Sequence, residues 1–189
     1  MIFDPLAHAT AMAGGLALAD GANAQFRLTS PDFAAGAAIA DEQAYDSFGC
    51  TGGNVSPALA WSAPPQGTKS FALLVHDPDA PTGGAGWWHW LVVDIPAGTT
   101  GLAKGAGKTD GSRLPGGASS IATDYGVPGY GGPCPPVGDT PHRYNFTLYA
   151  LKVATLDLPQ GANAALTGYI VNANAIGKAT LTGTYGRAK

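Results

Sequence analysis

Hydrophobic and polar residues alternate with a period of two over several short stretches, while a helical period appears only near the C-terminus. In Lys69–Val75 the residues Phe71, Leu73 and Val75 share one face, and Asp77 continues that face. Leu91–Val93, inside the longer run Trp88–Ile95, is apolar on both faces, as expected of a central strand covered on two sides. His142–Leu151 places His142, Tyr144, Phe146 and Leu148 on one side and Arg143, Asn145 and Thr147 on the other. Gln25–Ser30 predicts a first strand closed by Pro31-Asp32, Ala38–Ala40 a short second one, Leu59–Trp61 another and Ala179–Tyr185 the last. Leu166, Tyr169, Ile170 and Ala173 predict a helix over about Ala162–Ile176, with Gly177 as its stop. About eight strands and one late helix predict a mainly β fold, a Greek-key sandwich of two antiparallel sheets with a C-terminal helix and other short peripheral helices.

Composition agrees with this pattern. The 28 Gly and 15 Pro are too many for a helical bundle, while 45% hydrophobic residues argue against disorder. A chain of 189 residues is one domain with a sizeable core, here assigned to 25–189. Residues 1–24 are set apart as an N-terminal helical arm or a degenerate signal-like segment. They end in the small-x-small Ala22-Asn23-Ala24 but lack a basic start. No apolar run reaches the ~18–20 residues of a membrane span. With charged residues at 12% and a net charge of −3, there is no basic patch for a nucleic-acid backbone.

Candidate chemistry collects in two Gly/Pro-rich segments that each lead into a strand through a histidine. In Asp77-Pro78-Asp79-Ala80-Pro81 the prolines hold the preceding residues extended, so Asp77 and Asp79 can face one site; His89 opens the next strand. Gly129-Tyr130-Gly131-Gly132-Pro133-Cys134-Pro135-Pro136 then precedes His142-Arg143-Tyr144. A histidine beside carboxylates can be held protonated, and glycine amides in an irregular loop can point at an anion. Asp77, Asp79, His89, Gly131, Gly132, His142 and Tyr144 therefore form a candidate pocket for a compact anion such as phosphate or acetate. In this reading Asp79 orients a histidine rather than touching the ligand. The competing reading has the two aspartates capping a turn and both histidines bonding backbone. Arg143, on the opposite face, is assigned an ion pair with Asp77 or another loop carboxylate. Trp87, Trp88 and Trp90 either line an apolar collar or belong to the core or a dimer contact.

Other motifs fail on spacing. Gly101–Thr109 resembles a phosphate-binding loop, but five residues separate its outer glycines instead of four and Pro115 follows. There is no Gly-x-Ser-x-Gly elbow and no His-Glu-x-x-His, so no catalytic residue, metal ligand or cofactor is assigned. His8 and His76 have no companions and are read as structural or surface residues.

DPDAP followed by HW, and GYGGPCPP followed by HRY, resemble the two signature regions of the phosphatidylethanolamine-binding protein family, more closely its bacterial, Raf-kinase-inhibitor-like branch. The resemblance extends through Gly53–Trp61 and covers roughly Gln25–Tyr185. It implies a β-sandwich with a ligand pocket at one rim, a phosphate or phospholipid head group as ligand, and a homodimer. Where mammalian members have a longer, charged segment after DPDAP, this chain has only Thr82–Gly86, so the resemblance by itself does not carry over kinase-inhibitor behaviour. Cys50 and Cys134 fall in Gly-rich loops of the resemblance. They are either a disulfide, which favours a periplasmic or secreted location, or free thiols of a cytoplasmic protein. The leading expectation is a non-catalytic binding protein. Behind it stand a kinase or protease inhibitor acting through surface loops, and an enzyme using the Asp/His cluster for acid–base work.

Overall fold

The structure is a computed structural model that describes Met1 and residues 25–189; the segment 1–24 otherwise lies outside the described residues. Two antiparallel sheets are built from eight strands: β1 (Arg27–Thr29), β2 (Leu59–Ser62), β3 (Ser70–Asp77), β4 (Trp87–Pro96), β5 (Gly101–Leu102), β6 (Ser119–Ile121), β7 (His142–Leu151) and β8 (Ala175–Tyr185). The small sheet runs β1-β2-β5 and the large one β6-β4-β3-β7-β8. The single helix among the described residues, α1 (Ala164–Asn174), connects β7 to β8.

The large sheet is buried on both faces, which explains the continuous apolar runs in β3 and β4. Towards the small sheet, Phe71, Leu73 and Val75 of β3 pack with Trp90 and Val92 of β4 and with Tyr144, Phe146 and Leu148 of β7. Leu28, Leu59, Trp61 and Leu102 of the small sheet close this core. On the other face Ala72, Leu74, Leu91, Val93 and Leu151 meet Ala164 and Val171 of α1. Fully burying each of these large side chains contributes roughly 1.5–3 kcal/mol.

Three expectations need correction. Ala38 makes only an isolated parallel bridge to Thr184: the chain beside it bonds β8 through Gly36 N–H, Ile39 N–H and Ala37 O but extends into no strand of its own. The helix stops at Asn174, and Gly177 lies inside β8 opposite Ala150, close against the Pro65 ring. Its role is close packing and not a helix stop. Turns take the place of the short peripheral helices expected among the described residues.

Candidate functional site

At one end of the large sheet, β3, β4 and β7 bring Asp77, His89 and His142 together around a cavity of about 240 Å³. The placement of His89 depends on a β-bulge. Val75 pairs with Trp90 and His76 with Trp88, so His89 is an extra residue on β4 with no partner on β3. Regular alternation would turn His89 towards the helix side with Leu91. The bulge instead sends Trp88 to that side, where it lies against His76 with ring centroids 4.2 Å apart. His89 faces the cavity, edge-on to Tyr144 at 5.1 Å. Bulges re-aim side chains in this way beside functional sites.

Asp77 ends β3 and does two jobs. Its Oδ1 accepts from the backbone N–H groups of Asp79 (2.8 Å) and Ala80 (3.1 Å), and its Oδ2 accepts from His142 Nδ1 at 2.8 Å. Both side chains are buried. The turn so formed carries Asp79 away from the cavity and onto Arg143, which donates to it from its backbone N–H, Nε and Nη2 at 2.9, 2.9 and 2.6 Å. The Arg143 guanidinium holds the Asp79 carboxyl down at about 2. The expected roles are therefore exchanged: Asp77 orients a histidine, and Asp79 is the ion-pair partner of Arg143.

The two glycines also serve differently from expectation. The Gly131 N–H donates to His89 O and the Gly132 N–H to Asn54 Oδ1, both at 2.9 Å, so neither amide faces an anion. A Cβ at Gly131 would run into the Tyr125 ring, and one at Gly132 into Gln43 O. They are required for close approach of the loop to its neighbours. Their carbonyls matter more. Gly131 O accepts from His89 Nδ1 at 2.7 Å and Gly132 O from the Tyr125 hydroxyl at 2.9 Å.

A carbonyl oxygen only accepts, so His89 carries its proton on Nδ1 and leaves a lone pair on Nε2. Burial pushes the His89 imidazole down to about 4, outweighing the opposing effects of the Gly131 hydrogen bond and the Asp77 charge. The expectation of a protonated histidine thus fails at His89. Among the described residues its Nε2 has no hydrogen-bond partner, and neither do the buried Trp87 Nε1 and Tyr144 hydroxyl. Buried polar atoms are nearly always paired, so two unpaired ones on residues lining one cavity, Trp87 and His89, suit a ligand or ordered water there. Burial also raises the Tyr144 phenol, keeping it a neutral hydroxyl.

The remaining walls are apolar: Phe48, Ala80, Pro81, Tyr125, Pro135 and Pro136, with Cys134 and Thr82. Tyr125 stacks on Tyr45 at 4.1 Å and stands edge-on to Trp87 at 5.4 Å. Phe48 is 68% exposed at the mouth and adopts φ 55°. Of the three tryptophans considered as a collar, only Trp87 lines the cavity; Trp90 is in the core. Phe48 and Tyr125 were missed in the sequence because neither belongs to a periodic segment or stands beside the two signatures. Cys50 and Cys134 form a disulfide, which joins the Phe48 loop to the cavity wall. Among the described residues, no group of three His, Cys, Asp or Glu side chains is placed to hold a metal ion, and no helix is long and apolar enough to cross a membrane.

The family model described as phosphatidylethanolamine-binding protein matches residues 29–186. The Escherichia coli protein YbcL is 49% identical over 162 residues, spanning 86% of this chain and 88% of that one. A second E. coli protein, YbhB, is 41% identical over 159 residues, spanning 84% of this chain and 99% of its own length. The crystal structure of YbcL, described as a new member of the mammalian family, superposes with a TM-score of 0.83 at 48% identity, covering 86% of this chain and 99% of that one.

Proposed function

The chain belongs to the phosphatidylethanolamine-binding protein family, and from that premise we propose that it is a non-catalytic, Raf-kinase-inhibitor-like binding protein whose cavity takes a phosphate or phospholipid-head-group ligand. The observation that carries this reading is the pair of unpaired buried nitrogens, Trp87 Nε1 and His89 Nε2, on residues that line one cavity. At about 240 Å³ the cavity is at or below the small end of ligand pockets, which suits a compact polar group. The apolar walls at its mouth suit the organic part of an ester. Family membership supports a binding role over catalysis. The disulfide supports an oxidising compartment.

Calorimetric titration of inorganic phosphate and phosphoethanolamine into wild type and His89→Ala tests the proposal. Binding by the wild type is expected, weakened at least about tenfold in the variant, the loss of one buried hydrogen bond to a charged group. No binding by either protein at millimolar ligand would sink the pocket reading and leave an inhibitor acting through surface loops.

A further inference from the structure

The floor of the cavity sets a charge problem for the anion proposed above, and the present inference rests on that reading. Asp77 is a carboxylate only 3% exposed. Among the described residues no Lys or Arg lines the cavity, and the guanidinium of Arg143 points its donors at Asp79. His142, even as an imidazolium, only balances the Asp77 carboxylate to which its Nδ1 donates. His89 presents a lone pair, because its Nδ1 proton is committed to Gly131 O. The other unpaired groups, Trp87 Nε1 and the Tyr144 hydroxyl, are neutral donors. A fully ionised phosphate would thus meet a buried carboxylate and a second lone pair with no cation in compensation. Desolvated charge of that kind is strongly unfavourable.

We propose that the cavity binds a phosphomonoester together with one proton, shared between a phosphoryl oxygen and His89 Nε2, and so selects phosphomonoesters over phosphodiesters, which narrows the ligand proposed above to a free phosphorylated head group rather than an intact phospholipid. The proton comes from solvent and no covalent bond changes. A phosphomonoester dianion takes it up at little cost because its second ionisation lies near pH ~6. A phosphodiester has no such ionisation, so its binding would require a charged His89. Burial opposes that charge, and of the titratable groups around the ring Asp77 favours it while His76 disfavours it. The flanking Tyr125 and Tyr144 are held neutral by burial.

The test is calorimetry of phosphoethanolamine and of glycerophosphoethanolamine, the same head group as a monoester and as a diester. Titrations run at pH 7 and 8, in buffers of differing ionisation enthalpy. The expected result is uptake of about one proton per monoester bound and an affinity that falls about tenfold from pH 7 to pH 8. The diester binds at least about tenfold more weakly at pH 7, and His89→Gln, whose amide donates without titrating, takes up no proton. Binding of the monoester without proton uptake, or of the diester equally tightly, overturns the inference and leaves the phosphate-pocket reading in place. Uptake that persists in His89→Gln also overturns it, since another group then holds the proton. If neither ester nor inorganic phosphate binds, the pocket reading falls and the inference with it. The wild-type titrations decide the matter without relying on the variant's folding.

Discussion

His89 is buried as a neutral imidazole, and this makes folding itself sensitive to pH. Its folded-state pKa of about 4 lies below the ordinary value of 6.5, so the unfolded chain binds more protons between those limits. Stability from this group is complete above pH ~6.5 and is lost as pH falls towards 4, to a total of about 3 kcal/mol. That is a large share of the ~5–15 kcal/mol that holds a typical domain folded. In urea unfolding, the stability gap between wild type and His89→Gln is expected to shrink by about 3 kcal/mol from pH 7 to pH 4. A gap independent of pH would mean that His89 is not neutral in the folded state. Asp79 titrates on the acid side of this window, because Arg143 holds it down at about 2. Its contribution is present above pH ~4 and fades only as pH falls towards 2, so the two groups are separable by pH. As a partly exposed, solvent-screened pair, Asp79 and Arg143 make the smaller contribution.

Strand β4 carries two bulges, and each sets something the rest of the molecule needs. One lies between Phe71–Ile95 and Leu73–Val92, where Val93 and Asp94 oppose the single residue Ala72. Asp94 there adopts φ 57°, and its Oδ1 accepts from Leu156 N–H at 2.8 Å, anchoring the loop that leads to α1. Asp94→Val should cost about 2–3 kcal/mol, through a β-branched residue at positive φ and an orphaned Leu156 N–H. Asp94→Gly should cost less, since it keeps the conformation; chemical denaturation of both variants checks the order, and equal losses would discount the backbone term. The second bulge, at His89, explains why the sequence put Asp77, His89 and His142 in one candidate set without showing how they are arranged. The alternation of Phe71, Leu73, Val75 and of Tyr144, Phe146, Leu148 marks the core face of β3 and β7 plainly, and these strands carry Asp77 and His142. Nothing in Trp88-His89-Trp90 announces an extra residue, since neither Gly nor Pro is there to signal it. Equally, two aspartates at i and i+2 look equivalent in an extended chain. Only the turn closed by Asp77 Oδ1 decides which one keeps the histidine and which meets Arg143. The helix end escaped for a related reason. Gly177 imitates a stop signal, while its actual constraint, contact with Pro65, is a long-range one.

Across the whole molecule, the loops that wall the cavity come from distant parts of the chain and carry little regular structure, so their position depends on cross-links. The Cys50–Cys134 bridge spans 84 residues of sequence, with Cα atoms 5.9 Å apart. In the chain-entropy model, closing a loop of that length removes about 4–5 kcal/mol of freedom from the unfolded state. The same loops are also held in the folded state by Tyr45 N–H on Pro133 O at 3.0 Å, Gly132 N–H on Asn54 Oδ1 at 2.9 Å and the Tyr130 hydroxyl on Gln43 O at 3.0 Å. Arg187 reaches Gly49 O and Pro135 O from the C-terminal end. The bridge and these hydrogen bonds therefore act on different states, the first on the unfolded chain and the second on the folded one. Replacing both cysteines by alanine should lower the melting temperature by about 10 °C, as expected for several kcal/mol in a domain of this size. Phosphate affinity below the transition should change by less than about threefold, because the hydrogen bonds leave the cavity wall in place. Scanning calorimetry with and without phosphate separates the two effects. A collapse of affinity in a variant that is still folded would show that the bridge itself shapes the cavity. An unchanged melting temperature would show that these loops are already restrained in the unfolded chain.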